Sequence, residues 1–457
     1  MEIIKLLDAV RQYFDEGNTS SYDFRKTKLL LLKKIILTQE QQLYAALYTD
    51  LKKSPEECWA TEIGLVIAEL NVAINNLHCW MAPKRVKTNM INLPSSSKIL
   101  TEPLGVALII GAWNYPFYLL INPLIGAIAA GNCVVLKPSE FAAATADVMK
   151  NIIEACFTPN HVLYMPGDGA VVVPAMMNNF TFDHVFYTGS TAVGKIIYTM
   201  AAQRLVPVTL ELGGKSPCVV ECDANIQVAA KRIVVTKFNN CGQICVAPDY
   251  ILVHHSCKDA LVAALKKYIV QFFGTDVQTS YSYGKIINEK QFNRIQQYLL
   301  QGKIVHGGNI NRDTLYIEPT IIEAVTMQMP IMQEEIFGPI LPILIYHTKD
   351  EALKIIAKNK NPLSFYLFTN NTKNEKQWLK DVAFGGGCIN NASWHLTNHH
   401  LPFGGRGLSG TGSYHGKFSF DIFSHKKAVM KTPTWFNPAI KFPPFNGRLK
   451  LFKWLIR

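Results

Sequence analysis

The first residues lack the pattern of a secretory signal, so no leader is expected. This stretch, MEIIKLLDAVRQYFDEGN, carries acids where a signal has a basic start and an apolar run, and it reads as an amphipathic helix. Ten cysteines without such a leader predict free thiols in a reducing cytoplasm, not a disulfide framework. Zinc-finger spacing is missing as well. The only close cysteine pairs, Cys218/Cys222 and Cys241/Cys245, have no matching His or Cys pair, so no metal site is expected. Charge is sparse at 18% beside 49% hydrophobic residues, which excludes a disordered chain. No internal repeat or low-complexity linker appears, and 457 residues are too many for one simple core, so two or three domains are expected.

Charge is absent altogether from Pro103 to Leu136, a length that could span a bilayer. Asn114, Pro116, Asn122, Pro123 and Asn132 interrupt it, and glycines recur. A buried strand-helix-strand unit fits better: GVALIIGAW as strand, PLIGAIAAGN as a short helix ending at Gly131, CVVLKPSE as the next strand. Further apolar runs predict strands over 106–112, 132–136, 161–165, 184–188 and 206–210, with helices between. A second series follows in SPCVVE, YILVHH, YIEPTII, LPILIY and LSFYLFT. The alternation implies two open α/β domains with parallel sheets and a seam near Glu211. KRVKTNMINLPSSSKILTEP and FSHKKAVMKTPTW fit neither series and suggest an extended arm and a late strand that pair. Asn114, Lys137, Gly189 and Glu211 fall at or just after strand ends, where an open parallel sheet places its ligand crevice.

The stretch CGQICVAPDY sets two cysteines beside a Gly-Gln pair. With WNYPF (113–117), LKPSE (136–140), FYTGSTAVGK (186–195), LELGGKSP (210–217) and QEEIFGPILP (333–342), it resembles the NAD(P)-dependent aldehyde dehydrogenases. LPFGG (401–405) and YHGKFSFDIFSH (414–425) narrow the resemblance to the class-three branch, which includes the fatty aldehyde enzymes. It covers roughly residues 20–430. The architecture it implies is a Rossmann-like NAD-binding domain of residues 1–82 and 103–208, and a catalytic domain of 209–415. A small β oligomerisation element (83–102 and 416–435) and a basic amphipathic tail (436–457) complete it.

Aldehyde oxidation needs a nucleophile that adds to the carbonyl and leaves a hydride to expel, and a thiolate suits the task. By resemblance the nucleophile follows Gly-Gln-x and is Cys245. Cys241 reads as a packing residue, with a protective disulfide to Cys245 as the alternative. A helix over Ile226–Asn239 capped by Gly242 would put Cys245 beyond a helix C-terminus, which disfavours a thiolate, so activation is expected from elsewhere. Glu211 is the expected base for the water that hydrolyses the thioester, its carboxylate partly desolvated; pairing with Lys215 is the plain alternative. Asn114 and the Cys245 amide are the expected oxyanion donors.

GSTAVGK follows a strand and opens a helix, so the amides of Gly189, Ser190, Thr191, Ala192, Val193 and Gly194 can face a pyrophosphate, although the motif is not G-x-G-x-x-G. The resemblance implies that Lys137 and Glu140 reach the adenosine ribose, Glu335 the nicotinamide ribose, and Phe337 the nicotinamide. His415 is implied on the cofactor side, against the simpler reading of a structural histidine. Glu140 would disfavour a 2′-phosphate, so NAD is the expected cofactor; Lys137 leaves NADP open.

The net charge of +12 suits an anionic partner. Nucleic acid is not expected, since only the tail NGRLKLFKWLIR resembles a basic patch with aromatics, and it is short. On a helical wheel Lys450, Lys453 and Arg457 share one face, and Leu449, Phe452, Leu455 and Ile456 the other. That pattern suits peripheral contact with an anionic inner membrane surface or docking within a homodimer. The expected activity is oxidation of a long, aromatic or otherwise apolar aldehyde in the cytoplasm. An acylating enzyme that uses coenzyme A and a non-catalytic descendant are the alternatives.

Overall fold

The computed structural model describes residues 2–456, the side chain of Leu455 excepted. Apolar runs without alternation become strands covered on both faces. Val106–Ile110, Cys133–Lys137 and His184–Thr188 are buried at every position. They form the middle of a six-stranded sheet ordered Gly410–Thr411, Val208–Glu211, His184–Thr188, Val106–Ile110, Cys133–Lys137, Val162–Tyr164. All neighbours run parallel except Gly410–Thr411. From Val106–Ile110 the chain winds first to one side and then to the other, so a switch point lies between Val106–Ile110 and His184–Thr188. That is the Rossmann-like arrangement in which a crevice opens at the strand carboxyl ends.

The second sheet has seven strands, ordered Lys303–His306, Thr320–Glu323, Ile340–Tyr346, Tyr250–His254, Pro217–Val220, Ser364–Phe368, Gly386–Ile389. The expected YIEPTII strand is split at Pro319, which has no N–H to give a ladder. Tyr316–Ile317 pairs in a small hairpin and only Thr320–Glu323 enters the sheet. Gly386–Ile389 has no β-forming pattern. It becomes a strand by parallel pairing with Ser364–Phe368, and a Cβ on Gly387 would fall 2.2 Å from the Phe365 carbonyl oxygen.

The charge-free stretch folds back on itself. Tyr118–Ala130 is one helix, longer than expected and running through Pro123, with every residue buried, and Gly131 closes it at φ 93°. A helix apolar all round belongs in a core. Among the described residues no helix is long and apolar enough to cross a membrane. The arm and the late strand pair as expected: Ser96–Pro103 lies between Lys84–Val86 and Ser424–Lys431, antiparallel to both.

Three expected boundaries need correction. The first sheet continues through Glu211, so a division after 208 cuts a strand. Gly410–Thr411, expected with the second domain, closes the edge of the first sheet, with Gly410 opposite Glu211. The helix Lys417–Ile422, expected in the bridging element, packs on Tyr118–Ala130, where a Cβ on Gly126 would lie 2.5 Å from Ser419 Cβ. At the far end Leu449–Leu455 is a short helix with Lys450 and Lys453 exposed; Arg457 of the expected basic face lies outside the described residues.

Candidate active site

The helix Ile226–Phe238 starts on Asn225, whose side chain accepts from Val228 N, and stops one residue before the expected end. Its C-terminal cap is Asn239, not Gly242. Asn240, Cys241 and Gly242 then follow with φ of 48°, 51° and 70°. Three left-handed residues in succession turn the chain sharply, and only the third is a glycine. A Cβ there would sit 2.3 Å from the Gly338 carbonyl oxygen. The buried Gln243 side chain locks the turn: Nε2 donates to the carbonyls of Asn240 and Lys285 (both 3.0 Å), and Oε1 accepts from Ile287 N. The turn separates the two cysteines. Cys241 is buried near Gly284, in the packing role expected, and Cys245 is half-buried and faces open space. All ten cysteines are free thiols.

Two cavities meet at Cys245. One, about 390 Å³, has walls from Tyr115, Tyr118, Leu119, Trp394, Phe403 and Tyr414, and takes in His415. The other, about 440 Å³, runs between the strand ends and carries Asn114, Gly189–Ala192, Glu211, Glu335 and Phe337. Cys245 and Leu119 alone border both. Burial pushes the Cys245 thiol well up, and the carboxylates of Glu335 and Glu211 add to this; the amides of Cys245 and Val246 oppose them. Burial and the two carboxylates therefore disfavour the thiolate in this environment.

Asn114 is buried, and its Nδ2 donates one N–H to the Gln243 carbonyl at 3.0 Å. An amide has two N–H groups, so one remains. Glu211 ends its strand only 3% exposed, with neither carboxylate oxygen partnered. Burial alone raises its pKa well above the ordinary range. Lys215, the plain alternative partner, instead binds Asp249 and the carbonyls of Ile331 and Glu334.

On the crevice side Ser190 caps the helix Thr191–Ala202, its side chain accepting from Val193 N. Gly189, Ser190, Thr191 and Ala192 border the crevice, but the Gly189 amide already donates to the Glu211 carbonyl at 3.0 Å; Val193 and Gly194 do not border it. Gly194 serves packing, since a Cβ would lie 2.7 Å from Leu212 Cδ2. Gly213 makes room for Glu335, whose Oε2 sits 1.9 Å from where a Cβ would be. Burial lifts Glu335 to about 8, with Asp249 adding to the shift. Phe337, at φ 48°, meets Trp113 edge-on at 5.2 Å between ring centres. Lys137 and Glu140, expected at the adenosine ribose, do not border this crevice; they hold each other at 3.0 Å, Glu140 also accepting from Gly169 N at 3.1 Å.

His415 is a correction. It borders the apolar cavity, away from the nucleotide crevice, hydrogen-bonded to the Tyr118 hydroxyl at 2.8 Å and stacked on Phe403. Burial drops it to about 3, so the ring is neutral. Trp113, Leu212, Gly213, Gln291 and Arg294 also line the crevice and were missed as site residues. Trp113 and Gly213 stand inside quoted motifs; Gln291 and Arg294 lie on a helix that carries no local signal. The crevice fits a dinucleotide: free amides at a helix N-terminus for the pyrophosphate, a glycine-cleared carboxylate for a ribose, and an aromatic pair for a flat ring.

A sequence model of the aldehyde dehydrogenase family matches residues 1–429. The 4,4′-diaponeurosporen-aldehyde dehydrogenase of Staphylococcus aureus is 45% identical over 445 residues, covering 97% of this chain and 96% of its own. The dimeric NADP-preferring aldehyde dehydrogenase of Rattus norvegicus is 43% identical over 441 residues, covering 96% and 97%. Among solved structures, the substrate-bound state of Staphylococcus aureus AldH superimposes with a TM-score of 0.98 at 44% identity, over 100% of this chain and 99% of that one. The chain belongs to the aldehyde dehydrogenase family, and it is an NAD(P)-dependent enzyme that oxidises aldehydes to carboxylic acids.

Proposed function

We propose that the chain oxidises long or aromatic apolar aldehydes through a covalent thioester on Cys245. The observation that carries this reading is the sulfur's position as the one polar group shared by an apolar cavity and a polar crevice. An aldehyde enters from the apolar side, and Cys245 Sγ adds to its carbonyl carbon. The carbonyl oxygen becomes an alkoxide, held by the free Asn114 N–H and the Cys245 amide. When bound in the crevice, NAD(P) supplies the hydride acceptor and a positive ring that favours the thiolate. Loss of the hydride leaves a thioester. Glu211 takes a proton from water as the water's oxygen joins the acyl carbon, and the carbon–sulfur bond breaks to return the thiolate and release the acid.

The test is NADH formation across an aldehyde chain-length series, run with parent, Cys245→Ser and Glu211→Gln. Turnover should favour long chains, vanish in Cys245→Ser, and stop at an acyl-enzyme visible by intact mass in Glu211→Gln. NADH only with coenzyme A present would move the reading to an acylating enzyme, and none with any aldehyde to a non-catalytic one.

NAD is the preferred cofactor in this reading, because the family resemblance implies that Glu140 accepts from the adenosine ribose hydroxyls, which disfavours a 2′-phosphate; a lower KM for NADP overturns it. The Ser424–Lys431 strand, mostly exposed and paired on one side only, offers its free edge to a second copy, so a homodimer is expected by light scattering. The tail adds an anionic membrane surface. No acid follows Asp421, while Trp435, Leu449, Trp454 and Ile456 are 64–78% exposed beside Lys441, Lys450 and Lys453. Flotation with anionic vesicles should be lost when the chain ends at Phe436, and equal flotation of both forms removes this part.

A further inference from the structure

Beneath Asn114 lies an ion pair with no exposure at all. Lys53 Nζ donates to Glu62 Oε1 at 2.6 Å, and both side chains are 0% exposed. Lys53 also donates to the Asn114 backbone carbonyl at 3.2 Å, and its ammonium sits 3.8 Å from the centre of the Tyr115 ring. The other Glu62 oxygen accepts from the amides of Phe117 (2.9 Å) and Tyr118 (3.3 Å), at the start of the Tyr118–Ala130 helix. The pair therefore grips the turn Asn114–Phe117 at both ends.

The Asn114 carbonyl takes a second donor, Asn240 Nδ2 at 2.7 Å, and Asn240 belongs to the nucleophile turn. Its own N–H donates to Glu57 Oε1 at 2.9 Å. Asn114 is thus tied to a buried cation below and to the Cys245 loop beside it.

Glu62 reaches this position through an irregular turn. Trp59–Ile63 is a single π-helical turn inside otherwise α-helical chain, a form that widens a helix by one residue and is often found at functional sites. Gly64 makes room for it, because a Cβ there would lie 2.7 Å from the Trp59 carbonyl oxygen. Ala60 and Thr61 of this turn border the apolar cavity while Glu62 points inward beneath it.

We infer that Lys53 and Glu62 are positioning residues for the oxyanion donor: they fix the Asn114 peptide plane so that its free side-chain N–H stays aimed at the oxygen formed when Cys245 adds. A buried ion pair is an inefficient way to stabilise a core, since desolvation offsets the attraction. It is an effective way to fix geometry when both ions carry further hydrogen bonds, as here, where Lys53 also donates to the Asn114 carbonyl and Glu62 also accepts from the Phe117 and Tyr118 amides.

The inference rests on Asn114 as oxyanion donor, and the test keeps the two apart. Lys53→Met/Glu62→Gln removes both charges and leaves an acceptor for the Phe117 and Tyr118 amides. Single-turnover NADH formation should fall about 100-fold, comparable to loss of one oxyanion donor, with NAD affinity unchanged within about twofold. In an Asn114→Ala background the same double change should cost less than about threefold more, because the group it positions is already gone. A folded double variant with the parent's acylation rate overturns the inference, as does a full additional loss in the Asn114→Ala background. A parent rate in Asn114→Ala alone overturns the oxyanion assignment instead. Should the double variant not fold, Glu62→Gln alone, which keeps shape and capping acceptor, is read by the same cycle: non-additivity with Asn114→Ala supports the inference and additivity overturns it.

Discussion

The two cavities that meet at Cys245 are built by opposite means. The polar crevice is made by backbone: strand ends, a helix N-terminus, and glycines that clear room for a carboxylate. The apolar cavity is made by side chains, drawn from the π-turn at 59–63, the 115–119 turn, the end of the 226–238 helix and the loops at 393–415. A crevice built on main chain tolerates little change in shape. A cavity built on side chains can be re-cut by substitution, so cofactor use should be rigid and aldehyde choice adjustable.

The largest blow to this contrast is at the shared wall. Cys245→Ala should lower NADH formation by more than about 1,000-fold while leaving NAD binding intact, because the sulfur is the proposed bond-forming atom and only borders the crevice. Loss of NAD binding in this variant would mean that the two sides are not separable.

Glu211→Gln belongs to the crevice side alone and should slow thioester hydrolysis by about 100-fold, seen as an NADH burst followed by a slow phase. In the parent, hydrolysis should quicken as pH rises, because a carboxyl with a raised pKa accepts a proton only after losing its own. Stability runs the other way. Between the ordinary carboxylate range and the raised value the folded chain holds a proton that the unfolded chain has released, so stability falls as pH rises through that window. Glu211→Gln removes the loss and should raise Tm at pH 9 by roughly 1–3 °C in a thermal scan.

Trp394, 60% exposed at the apolar wall, tests the other side. Trp394→Ala should raise KM about tenfold for a long aldehyde, the effect of some 50 Å² of lost apolar contact, and leave KM for propanal and NAD unchanged. The smallest effect is a null. His415→Gln should leave the pH profile between 5 and 9 where it was, because burial keeps the ring neutral down to about 3; a lost or shifted limb would restore a titrating role.

Much of the site was legible because local sequence carries local backbone. The strands Val106–Ile110 and His184–Thr188 were visible as unbroken apolar runs, and the residues just past them fall at the crevice for a topological reason. Glu211 at a strand end and Ser190 at a helix start needed no knowledge of the rest of the chain. His415 was misplaced because its cavity is chosen by long-range packing, against Tyr118 nearly 300 positions away. Gly386–Ile389 was missed because its strand exists only by pairing with a neighbour. Lys53 and Glu62 gave no sign, since two charged residues in a helical stretch ordinarily face water.

From sequence alone came the family, a proposed nucleophile and base, and the α/β pattern, because motifs and periodicity are properties of contiguous residues. Only the tertiary structure decided which cavity each side chain faces, that Glu211 stands unpartnered, and that a buried cation underlies Asn114. Those facts depend on segments far apart in the chain being pressed together with water excluded, and no short stretch of sequence contains that information.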